Sequence, residues 1–136
     1  MVVHPGGAEA ARRDSRMEEL VREGRTVLLI DAFQTGAAVA ERDLKGGFFL
    51  TFNRSDDANR VQDILTALAF LDEQRAGEPT LLGIGKAGAW ARFAKAMSPR
   101  GVKLSGDSAG FGCSDAEFQK DLFVPGIQRV AEPCSK

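Results

Sequence analysis

Two spacings of apolar residues alternate along this chain, one suited to strands and one to helices. Val2-Val3 is a short extended piece ahead of the polar turn His4-Pro5-Gly6-Gly7. From 8 to 23, Met17, Leu20 and Val21 recur among charges, which predicts a surface helix that Gly24 ends. Residues 26–30 then form a continuous apolar, β-branched run before Asp31, the pattern of a strand buried on both faces. Residues 32–59 have no regular period and predict a long loop, with Phe48-Phe49-Leu50-Thr51-Phe52 as one short extended piece.

The clearest helix follows. Ser55, Asp56 and Asp57 supply side-chain acceptors for its first amides, and Val61, Ile64, Leu65, Leu68 and Leu71 repeat at three- and four-residue spacing. It should stop near Gly77 and Pro79. Thr80-Leu81-Leu82 predicts a strand, the glycine-rich stretch 83–88 a turn, and the residues up to about Met97 another helix. Val102-Lys103-Leu104 reads as one more short strand, and Ser114 with Glu117 forms a capping box for a last helix to about Leu122. Strands separated by helices predict an α/β fold in which a mostly parallel sheet is covered by helices on both faces, since each crossover must return with right-handed sense.

Composition narrows the function classes without choosing one. The chain has 136 residues, 43% hydrophobic and 27% charged, the balance of a single folded domain over 1–136. A net charge of -1 with both signs intermixed gives no footprint for nucleic acid or an anionic membrane. No apolar run is long enough to cross a bilayer, and the N-terminus lacks the layout of a signal peptide. Cys113 and Cys134 have neither the spacing nor the histidine neighbours of a zinc site, so no metal and no cofactor is expected. Compartment is left open.

In a parallel sheet the turns at the carboxyl ends of the strands face the ligand crevice, which directs attention to the turn at Gly83. Its letters admit three readings. As Gly83-x-Gly85-x-x-Gly88 between strand and helix, with Asp107 about twenty residues further on, it matches a dinucleotide- or phosphate-binding turn. As a nucleophile elbow of the Gly-x-Ser-x-Gly type, it has Gly83 in the first place, Gly85 where the serine belongs, Lys86 next, Ala87 in the last place and Gly88 behind. Glycine has no oxygen with which to attack a carbonyl. As plain packing, the small residues simply let helix and strand approach. A separate string, Gly106-Asp107-Ser108-Ala109-Gly110, matches the elbow letter for letter and makes Ser108 a second candidate nucleophile. The helix cap comes only at Ser114, too late for an elbow serine.

Taken in order, Asp31-Ala32-Phe33-Gln34-Thr35-Gly36, the helix segment Arg60-Val61-Gln62-Asp63-Ile64-Leu65-Thr66-Ala67-Leu68, the turn at Gly83 and Phe123-Val124-Pro125-Gly126-Ile127 resemble the acetyl xylan esterase-like α/β hydrolases. The resemblance covers most of the chain and implies an incomplete α/β-hydrolase-type three-layer sandwich. It likens His4, Gly6 and Gly7 to the loop that helps form an oxyanion hole. It also implies a triad in the chain order serine, acid, histidine, yet the only histidine is His4, ahead of any elbow. The expected function is therefore an esterase-like segment without independent catalysis, acting, in a parent enzyme, on an ester or acetylated carbohydrate. Missing strands would leave open sheet edges, through which a homo-oligomer is expected to form.

Overall fold

The computed structural model describes residues 1–43, 54–99 and 101–105. Three parallel strands, β1 (Val2–Val3), β2 (Thr80–Gly83) and β3 (Lys103–Ser105), lie side by side in that order. Val2 pairs with Leu82 and Val3 with Gly83, and Leu81 pairs with Leu104 across the next ladder. The backbone of β1 alternates its partners. Leu82 and Ile84 donate to the carbonyls of Met1 and Val3 on one side, while Val2 donates to Leu28 on the other and bridges in parallel to Leu29. The segment around Leu29 thus continues the sheet beyond β1, and the chain leaves β1 in both directions.

Side chains alternate between the two faces, as a pleated strand requires. Val2, Leu82 and Ile84 meet Ala11, Met17 and Leu20 on one face. Met1, Val3 and Leu81 meet Val61, Ile64, Leu68, Trp90 and Phe93 on the other. The first face is covered by α1 (Gly7–Arg12) and α2 (Ser15–Arg22), the second by α3 (Asp56–Glu73) and α4 (Ala87–Met97). The fold is mixed α/β around a small parallel sheet, as the alternation of periods predicts.

Local differences from the sequence expectation have identifiable causes. The single helix expected over 8–23 is two, because Asp14 takes up extended backbone and its carboxylate accepts from Arg16 N at 3.0 Å, capping a new helix. The strand expected over 26–30 is reduced to one bridge, since β1 is only two residues long and offers a parallel neighbour little to pair with. Residues 27–30 are half-buried rather than enclosed on both faces. A 3-10 turn, Gly36–Ala38, interrupts the expected loop. The third strand lies one residue later than expected. The apolar run at 48–52 and the helix at 114–122 lie outside the described residues.

A polar network fixes α3 and α4 to the chain beyond Asp31. Asp57 is buried and its Oδ1 accepts from Trp90 Nε1 at 2.7 Å and Arg60 Nη1 at 3.0 Å. Arg60 lies over the Trp90 ring, 4.8 Å from its centroid, and its Nε donates to the Phe33 carbonyl at 3.0 Å. The Phe33 amide in turn donates to Asp63 Oδ2 at 2.8 Å. Removing one partner of a buried charged network strands the rest. Asp57→Ala should therefore cost about 2–4 kcal/mol in urea unfolding followed by the fluorescence of the sole tryptophan, whereas Asp57→Asn, which keeps an acceptor for Trp90, should cost about half as much.

At the start of α3, Asp56 accepts from both terminal nitrogens of Arg42, at 2.7 and 2.8 Å. This bidentate pairing, more than any other influence, holds the Asp56 carboxyl below its ordinary value. A depressed carboxylate contributes stability above its unfolded pKa and loses it as pH falls through the lower folded value. Arg42→Ala should accordingly lower stability at neutral pH, and the difference from the parent chain should shrink as pH falls through the Asp56 titration, as read by urea unfolding followed by circular dichroism at neutral and acid pH.

Candidate functional site

Because the chain runs outward from β1 in both directions, the carboxyl ends of β1 and β2 flank a topological switch point, the place where open α/β sheets form a ligand crevice. Pairing of Val3 with Gly83 sets two loops side by side there. His4, Gly6 and Gly7 follow β1; Gly85, Lys86, Ala87 and Gly88 follow β2.

The β2 turn is built by close approach. A Cβ placed on Gly83 would lie 2.5 Å from Gly88 Cα and 2.6 Å from the Ala87 carbonyl oxygen, so α4 rests directly on the end of the strand. Ile84 is buried and tied to Val3, after which the chain reverses at Gly85 with φ +55°. Gly85 carries the left-handed conformation typical of glycine, yet a Cβ there would meet no described residue within 4 Å. The next three amides are committed to the turn and first helical residues: Ala87 donates to Ile84, Gly88 to Gly85 and Ala89 to Lys86. The Gly85 and Lys86 amides have no acceptor among the described residues. Lys86 is exposed and its side chain makes no cap. The arrangement is a tight strand-to-helix reversal whose apex, at Gly85, lies at the carboxyl end of β2.

The β1 loop is braced from within and from behind. The Gly6 amide donates to His4 Nδ1 at 2.8 Å and the Gly7 amide to the His4 carbonyl at 2.9 Å. In this contact the Gly6 amide donates and Nδ1 accepts. Behind the loop, Asp31 Oδ1 accepts from the Ala8 amide at 2.7 Å and fills the space beside Gly7 and Gly36 where side chains would lie. Asp31 and Gly36 are not among the residues that the sequence singled out for the site, and their only signal is an acid closing an apolar run with a glycine shortly after. Both candidate amides of this loop, Gly6 and Gly7, are thus already given to His4.

Ser108 and Asp107 lie outside the described residues. Among the described residues no cluster of three or more His, Cys, Asp or Glu side chains is gathered that would hold a metal, and no buried side-chain nitrogen or oxygen lacks a partner. An open groove lined by Met1, Leu20, Arg25, Thr80 and Lys103 runs at the amino ends of the strands, away from the glycine turn. No protein-family model, curated protein or solved structure matches the chain.

The two glycines at either side of Ile84 should both lose stability on gaining a side chain, by different amounts and for different reasons. Gly83→Ala forces α4 off β2 and should destabilise by about 2–4 kcal/mol, in the range of core overpacking and beyond. Gly85→Ala meets only the backbone strain of a left-handed residue, about 1–2 kcal/mol, and should stay folded. Thermal and urea unfolding of the pair separate the two effects.

Proposed function

We propose that this chain is a segment of an α/β-hydrolase-type domain, of the acetyl xylan esterase-like branch, whose elbow lacks its nucleophile. The observation that supports it best is the turn itself. Gly83 and Gly88 in direct apposition and a positive φ at the apex are what an elbow uses to project a catalytic serine above a sheet, and here the apex residue is Gly85. The neighbouring His4-Gly6-Gly7 loop occupies the position an oxyanion loop would need, at the end of the adjacent strand. A sheet extending both ways from β1, with helices against each face, is consistent with the centre of a three-layer hydrolase sandwich that further strands would complete.

Such a site has a turn but no attacking oxygen. Covalent acyl transfer needs a nucleophile, a base to take its proton and donors for the developing oxyanion. Gly85 supplies none of the first, and the sole histidine has one ring nitrogen occupied by Gly6. Binding of an ester or acetylated carbohydrate by a parent enzyme would then require catalytic groups from outside this segment. The purified chain should hydrolyse p-nitrophenyl acetate no faster than its Ser108→Ala variant. Turnover that disappears with Ser108 would replace this reading with a serine esterase working from the second elbow-like string.

One observation favours a second reading from the binding class. The Gly85 and Lys86 amides have no acceptor among the described residues, at the start of the eleven-residue α4, where a phosphate would be held. Thermal shift with NAD and with inorganic phosphate decides it: a ligand held only by the folded chain raises the melting temperature, and an unchanged curve at millimolar ligand removes the phosphate reading.

A further inference from the structure

We draw no further inference here: the strongest candidate, the groove at the amino ends of the strands lined by Leu20, Leu28, Phe70 and Leu104, carries nothing because nothing in the structure shows what covers it.

Discussion

The backbone of β1 is shared between two neighbours, and the rest of the molecule is arranged around that sharing. Met1 and Val3 give their carbonyls to Leu82 and Ile84, and Val2 gives its amide to Leu28. A strand of two residues has no hydrogen bonds to spare, so each of these fixes something. The pair with β2 sets the glycine turn beside the His4 loop. The bond to Leu28 brings the chain after α2 back against the sheet, which puts Asp31 behind that loop. Both loops of the candidate site therefore take their positions from a strand that local sequence marks only weakly.

How much of this was legible depends on the range of the interaction. The helix Asp56–Glu73 was readable because Val61, Ile64 and Leu68 recur on one face and Ser55 accepts from Ala58, all within the segment itself. The glycine turn was readable because letters at fixed offsets state which residues lack side chains. The break in 8–23 at Asp14 had a local signal too, but the helical spacing of Met17, Leu20 and Val21 concealed it. The apolar run 26–30 carries the pattern of a strand buried on both faces, yet it makes only the bridge at Leu29 and is half-buried over 27–30, because how much of it becomes a ladder is decided by the length of β1. The Asp57 contacts with Trp90 and the Asp31 clamp on the Gly7 loop join residues 33 and 23 positions apart, and no periodicity reports on such pairs.

The candidate site separates two roles of glycine that the sequence shows as the same letter. At Gly83 the missing side chain lets one element touch another, and the neighbour is backbone that cannot give way. At Gly85 nothing presses on the residue, and what matters is the direction in which the chain turns. The first is a packing requirement and the second a conformational preference. A serine at Gly85 would meet no described residue but still lack a base, because His4 Nδ1 is engaged by its own loop. Shape and chemistry are therefore separable here. The turn persists as architecture whatever its apex residue can do.

The first residue reaches its partner only across most of the chain. The amino group of Met1 donates to the carbonyl of Thr80, 79 positions away, and the β1–β2 ladder closes over a similar separation. During synthesis, β1 has no second neighbour until Thr80–Gly83 has left the ribosome. Until then its one partner among the described residues is the segment near Leu29, which leaves Val2 and Val3 with one half of the hydrogen bonds they make to described residues. A sheet whose central strand is joined by β2 only after nearly the whole intervening chain has high contact order, so its folding should be slow for its size and its half-formed state open to capture by chaperones.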